Sequence, residues 1–266
     1  MKKTLIALAL AATAASGSAM AWTPNGLGGS DIEFGGTLTP KNVVNPWEVK
    51  VGPNVDTLNS LLKPNEEVVN ITVSNAVPLL GIRTTSSDAF HGGHFIAPQI
   101  DFKGAVDVNS SGVPGLADLT LDVVSTTDSS LLGKLTSSIA VGAVAAAANP
   151  DQNATVFSVF AEGMGRGFFG GVGNSSDKVI SDADQNIIHI QNVANSLGVR
   201  DHFTKITTES VNLSPQSVAF NNPKTQYSAF YGAGLKSGDT VTINLTSPAR
   251  TDMAWKASFP ITVSYQ

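Results

Sequence analysis

Residues 255–266 alternate almost without a break. Trp255, Ala257, Phe259, Ile261, Val263 and Tyr265 share one parity, and Lys256, Ser258, Thr262 and Ser264 share the other. A strand turns successive side chains to opposite faces, so this pattern predicts one apolar face and one wet face. Pro260 falls on the wet parity and cannot donate to a ladder, which places the strand at a sheet edge along that side. A long apolar edge is a template for another strand. With Gln266 as the last residue, the expectation is that some other segment covers it.

A second stretch has the complementary character. Ile32, Phe34, Gly36 and Leu38 lie on one face of a strand, with Asp31, Glu33, Gly35 and Thr37 on the other. Polar and glycine residues precede it and Pro40 follows, so it reads as a strand on a tether. Burying Ile32, Phe34 and Leu38 yields roughly 1.5–3 kcal/mol each, or about 5–9 kcal/mol in all. A whole domain's net stability is roughly 5–15 kcal/mol, so such a strand could decide whether its acceptor is stable.

Between these two stretches the pattern is strand, turn, strand. Period-two alternation predicts strands at 47–51, ended by Gly52-Pro53-Asn54, and at 69–73. A break containing Pro78 then precedes a strand at 79–82. Further strands are expected at 95–102, 119–124, 139–148 (running into a turn at Asn149-Pro150), 217–220 and 241–245. Residues 155–161 are apolar on both parities, which predicts a strand buried on both faces near the middle of the domain. One helix interrupts the strands. Ile187, Ile190, Val193, Ala194 and Leu197 recur at three- and four-residue spacing between Asp182-Ala183-Asp184 and Gly198. Phe230-Tyr231-Gly232-Ala233-Gly234 reads as surface aromatics spaced by flexible glycines.

Composition sharpens the fold class. Only 14% of residues are charged and 25 are glycine, which suits a sandwich or barrel better than a helical bundle. The length is within reach of one large all-β domain. Residues 1–21 stand apart: Lys2 and Lys3, an apolar run from Leu5 to Ala15, and Ala19-Met20-Ala21 form the three parts of an export signal with its cleavage site. Cleavage before Trp22 leaves 245 residues with fourteen basic groups against 21 acidic ones, a net charge of −7. No cysteine is present, so the core has to hold itself without disulfides, and thiol chemistry is excluded. Net acidity and scattered basic residues argue against nucleic acid as a partner.

Four constellations invite a chemical reading, and each has a plainer one. Gly165-Arg166-Gly167-Phe168-Phe169-Gly170 spells a dinucleotide-binding glycine pattern, but Gly171 to Ser176 will not open a helix behind it and no βαβ repeat surrounds it. It reads as a glycine-rich bend. His91 and His94, with Asp88 nearby, lack the remaining ligands of a metal site. Asp182, Asp184 and Asn186 begin like a calcium loop, yet Ile187 and Val193 stand where glycine and glutamate belong, so a helix cap is expected. Asp201-His202 has no nucleophile motif to serve. The expectation is a protein with no active site, no cofactor and no metal.

Several segments, in order along nearly the whole chain, resemble the FaeG-type fimbrial subunits of enterobacterial chaperone–usher pili. They are the Met1 to Ala9 opening, Ile32-Glu33-Phe34-Gly35-Gly36-Thr37-Leu38, Trp47-Glu48-Val49-Lys50-Val51-Gly52, Phe157-Ser158-Val159-Phe160-Ala161-Glu162-Gly163, Phe168-Phe169-Gly170-Gly171 and the alternating end at Tyr265. The resemblance implies an incomplete immunoglobulin-like β-sandwich completed by a donated strand, with the helix as a short insertion. It implies a signal peptide at 1–21, a donor-strand extension at 22–40 and a pilin-type domain at 41–266. Ile32, Phe34, Gly36 and Leu38 would be donor residues. Ala257, Phe259, Ile261, Val263 and Tyr265 would line the strand that a periplasmic chaperone, and then the next subunit, pair against. Gly36 would sit where a shallow pocket admits no side chain. Met253 stands where the related pilins often carry a glycine, a departure that bears on the chaperone-bound register. The implied partners are neighbouring subunits, the chaperone and an outer-membrane usher, and the implied location is the cell surface. The implied function is a structural subunit, major or minor, of fimbriae that attach to host cells. The alternative is an adhesin that binds host glycans or glycoproteins directly, with Tyr227, Phe230 and Tyr231 as the candidate contacts.

Overall fold

Residues 131–148 form the longest strand, and the others are arranged about it. The computed structural model describes Gly36 and residues 44–63, 65–150, 153–206 and 210–266, the side chains of 210–212 excepted. The chain divides into Met1–Lys41 and Asn42–Gln266, and every described residue but Gly36 belongs to the second unit. In chain order the strands are β1 (Trp47–Val51), β2 (Val68–Thr72), β3 (Val77–Thr84), β4 (Phe90–His91), β5 (Pro98–Asp101), β6 (Val106–Asp107) and β7 (Leu116–Ser125). They continue with β8 (Leu131–Ala148), β9 (Ala154–Ser158), β10 (Ser210–Asn212), β11 (Gln226–Leu235), β12 (Thr240–Leu245), β13 (Trp255–Ala257) and β14 (Thr262–Tyr265). A helix, α1 (Ala183–Ala194), falls between β9 and β10. The ladders run β1-β3-β11-β8-β12-β2, with β7 and β9 also on β8, and all are antiparallel except β10 beside β9. The fold is an all-β sandwich with one short helical insertion among the described residues.

β8 can serve both layers because of its length and its small side chains. Its first half pairs with β7 and β12, and its second half with β11 and β9. Val141, Ala143 and Ala145 point into the main core, while Ala140, Val144 and Ala146 point into a second core beneath α1. A strand covered on both faces needs apolar residues at every position, and alanine lets both layers come close. β9 is likewise buried on both parities, as its sequence predicts.

α1 has the boundaries its punctuation predicts. The Asp182 side chain accepts a hydrogen bond from the Gln185 amide at 2.8 Å, capping the first turn. The helix tightens through Leu197 and stops at Gly198, whose φ of 70° only glycine adopts without cost. Ile187, Ile190 and Val193 face the sheet. They and the following Leu197 and Val199 meet it across a row of glycines, Gly142, Gly232 and Gly81, which lie side by side on β8, β11 and β3. A Cβ on Gly232 would lie 2.6 Å from Ile190 Cγ2, and one on Gly142 2.9 Å from Ile190 Cγ1.

Four expectations are corrected. The strand expected at 95–102 begins only at Pro98, because Phe95 turns the chain with a φ of 61°. Residues 217–220 are not a strand: the Val218 and Phe220 carbonyls accept from the loop amides of Gly167 and Gly93 instead of from a ladder. Pro78 does not break the chain but lies inside β3, where the register against β11 shifts by one residue, and a bulge tolerates a missing donor. The glycines of β11 are not flexible spacers but the floor under α1. The strand predicted at 47–51 forms as β1, an edge strand on which Val49 and Val51 are exposed.

Candidate assembly groove

The terminal segment forms two short edge strands joined by a bend. β13 pairs with β7, Trp255 opposite Ser125 and Ala257 opposite Val123. Around Pro260 the segment leaves the ladder. β14 then pairs with β5, Thr262 opposite Asp101 and Tyr265 opposite Pro98, and reciprocal amide bonds between Ala97 and Gln266 extend the pairing. Among the described residues, each of these two strands has a partner on one side only. The edge position matches the prediction, but the single strand expected over 255–266 does not form: residues 258–261, around the donor-less Pro260, join no ladder, and the two halves pair with different strands.

The alternation survives in the burial. Trp255, Ala257, Phe259, Ile261, Val263 and Tyr265 are all half-buried, and Lys256, Ser258, Pro260, Thr262 and Ser264 are all exposed. None of the six is fully covered. Phe259 stacks on Phe102 with ring centroids 5.3 Å apart. Beside the strand runs a cleft of about 860 Å³, lined by Ala257, Phe259 and Ile261 on one side and by Leu79, Leu119, Leu121, Leu135, Leu235 and Val241 beneath. A second cleft of about 690 Å³ shares Ser60, Met253 and Trp255 with it and continues over Val69, Ile71, Val123 and Ile243. The two together make one largely apolar groove along residues 253–261. Its charged residues, among them Asp56, Lys63, Arg250, Asp252 and Lys256, are all exposed.

The strand that carries β14 is itself braced. The loop holding Gly165, Gly167 and Gly170 packs along β5: Phe168 N–H donates to the Pro98 carbonyl at 2.7 Å, and Ile100 N–H donates to the Phe169 carbonyl at 2.8 Å. The Gln99 side chain donates to the Arg166 carbonyl and accepts from the Gly165 amide. Gly170 has a φ of 79°, and a Cβ there would collide with the Ile100 carbonyl. The apparent dinucleotide motif is a structural bend against β5. At the end of that strand, hydrogen bonds from the Lys103 ammonium and amide hold the Asp101 carboxyl below its ordinary range.

The other sequence candidates are dispersed. Ile32, Phe34 and Leu38 lie outside the described residues, while Gly36 is exposed and a Cβ on it would meet nothing. The reading of Tyr227, Phe230 and Tyr231 as receptor contacts is overturned, because all three are buried in β11. Tyr227 and Tyr231 belong to an aromatic cluster with Phe90, Phe168, Phe220 and Trp47, and Phe230 packs edge-on against Phe203 beneath the helix. Full burial pushes the Tyr231 phenol well above its ordinary value. Their parity spreads these rings over the two cores on either side of the sheet, so they are not presented to solvent. His91 Nδ1 lies 3.2 Å from the Pro223 carbonyl, and His202 Nδ1 lies 2.6 Å from that of Thr84. Among the described residues, no group of three His, Asp or Glu side chains is placed to hold a metal ion. The sequence reading missed the groove floor, since Leu79, Leu121, Leu135 and Leu235 come from four separate strands and meet only in the fold.

An all-β sandwich with an apolar groove along an edge strand belongs to the class of proteins that pair with other chains. The chain belongs to the family of fimbrial major and minor subunits, whose family model matches residues 1–266. Relatives include the K88 fimbrial proteins AD and AB of Escherichia coli, 30% and 26% identical, and the F41 fimbrial protein of the same organism, 29% identical. Each of these alignments covers the whole of both chains. The protein is a non-enzymatic fimbrial subunit exported to the cell surface, where it interacts with other subunits of the fimbria.

Proposed function

We propose that this subunit polymerises by donor-strand exchange. Residues 1–21 direct export, residues 22–40 form the donor extension and residues 41–266 form the acceptor domain. Ile32, Phe34, Gly36 and Leu38 of one subunit enter the groove of the next. There they pair with the strand carrying Ala257, Phe259, Ile261, Val263 and Tyr265, a strand that a periplasmic chaperone occupies first and that an outer-membrane usher delivers to the growing fibre. The observation that carries this reading is the groove: a largely apolar channel beside a half-buried terminal segment whose strands, among the described residues, pair on one side only. The donor segment is of the same kind, with its apolar residues on one parity and a glycine among them. Attachment of the assembled fimbria to host surfaces completes the proposal.

The reading is tested in cells that supply the assembly machinery. Substituting serine at Ile32, Phe34 and Leu38 is expected to abolish surface fimbriae in electron micrographs while the subunit is still exported. Fimbriae of ordinary length and number from that triple variant would overturn donor-strand exchange.

A further inference from the structure

The groove is not empty along its whole length. Residues 53–62, which connect β1 to β2, cross it without regular secondary structure and line both clefts. Leu58 and Leu62 are the residues of this crossing that pack against the main core. Their four-residue spacing puts two apolar anchors into a segment whose other members, Pro53 to Thr57 and Asn59 to Leu61, are mostly exposed, Leu61 to 99%. The backbone contributes almost nothing to holding it. Among the described residues, its one main-chain hydrogen bond is local, from the Asn59 amide to the Thr57 carbonyl. Firm attachments begin only outside it, where the Gly52 amide meets the Leu79 carbonyl and the Leu245 amide meets the Glu67 carbonyl. A segment fixed at both ends and seated by two side chains can lift away without disturbing a ladder. An incoming strand would offer the terminal segment's free edge the main-chain bonds that this crossing does not make.

We infer that residues 53–62 are a built-in placeholder: a strap that shields the groove while no donor is bound and is expelled when one enters. The inference rests on the donor-strand reading above and adds a step to it. The groove is available only in the fraction of molecules whose strap is lifted, so the seating of Leu58 and Leu62 sets how fast a donor is captured. Such a strap would slow premature pairing between subunits, because it covers apolar surface that would otherwise be exposed.

The test uses the full chain with serine at Ile32, Phe34 and Leu38, so that its own extension does not compete. The probe is a fluorescent synthetic peptide of residues 30–40, and the readout is its association rate by stopped-flow anisotropy. Adding L58S and L62S is expected to speed association by about tenfold or more, since two half-buried leucines no longer hold the strap down. Equal rates with and without those substitutions would overturn the placeholder and leave donor-strand pairing standing. Failure of the peptide to bind either protein would overturn donor-strand pairing, and the placeholder with it. A second measurement leaves both leucines in place. The chain has no cysteine, so L61C takes a single dye at an exposed position of the strap. Saturating peptide is expected to increase the dye's mobility, and unchanged mobility with peptide bound would overturn the inference.

Discussion

Replacing Gly232 with alanine tests how the helical insertion is seated on the sheet. The new methyl would lie 2.6 Å from Ile190 Cγ2 and 2.9 Å from Ala194 Cβ, both well inside contact distance. Ile190 has nowhere to retreat, since Gly142 on the neighbouring strand already holds its other side and the residue is fully buried. The helix has to lift or the strand has to sag. Overpacking a well-filled core costs about 1–3 kcal/mol. In a domain of this size, each kcal/mol moves the melting midpoint by about 2–4 °C, so a loss of about 2–12 °C is expected by calorimetry or circular dichroism. Gly112, where a Cβ meets nothing, is the control, and G112A is expected to change stability by less than about 0.5 kcal/mol. A194G, which removes one of the two collisions, is expected to recover part of the loss when combined with G232A. If G232A melts together with G112A, the close approach of helix and sheet is not what requires glycine there.

Two further outcomes concern the same insertion. Asn186 donates from Nδ2 to the Ala143 carbonyl, which also accepts from the Val159 amide, and to Ser158 Oγ, so N186A removes two buried hydrogen bonds and is expected to cost about 1–3 kcal/mol in urea unfolding. His189 is held below its ordinary pKa of 6.5, first by burial and then by the charge of Lys236. The unfolded chain therefore takes up a proton below that value while the folded chain does not, and stability falls as pH drops from 6.5 toward the folded pKa. H189Q, which keeps a donor for the Gly115 carbonyl that the ring reaches at 2.9 Å, is expected to flatten this part of the stability–pH curve. Parallel curves for the two proteins would contradict the assignment.

The elements that local pattern governs were legible in the sequence, and those that depend on distant partners were not. The in-and-out alternation of the terminal segment could be read because Trp255 through Tyr265 keep a strict parity, and its proline marked the edge, but not that the segment divides between two partner strands. The helix could be read because Asp182 and Gly198 punctuate it. The first half of β8 was missed, since Gly133, Ser137 and Ser138 interrupt the apolar pattern and only its pairing with β7 and β12 makes it a strand. β11 was misread because glycine and aromatic residues side by side suggest a loop. The reason for those glycines is a helix some forty residues away in sequence, which no local window contains. The groove wall formed by residues 257–261 was visible, but its floor was not: leucines from four strands share no spacing that a linear reading detects.

The most direct measurement is thermal unfolding of the full chain carrying I32S, F34S and L38S, with and without a synthetic peptide of residues 30–40. At a peptide concentration one hundred times its dissociation constant, binding to the folded state adds about 2.7 kcal/mol. The midpoint is then expected to rise by about 5–10 °C. A midpoint that does not move at millimolar peptide would contradict a groove built to receive the amino-terminal strand of another subunit.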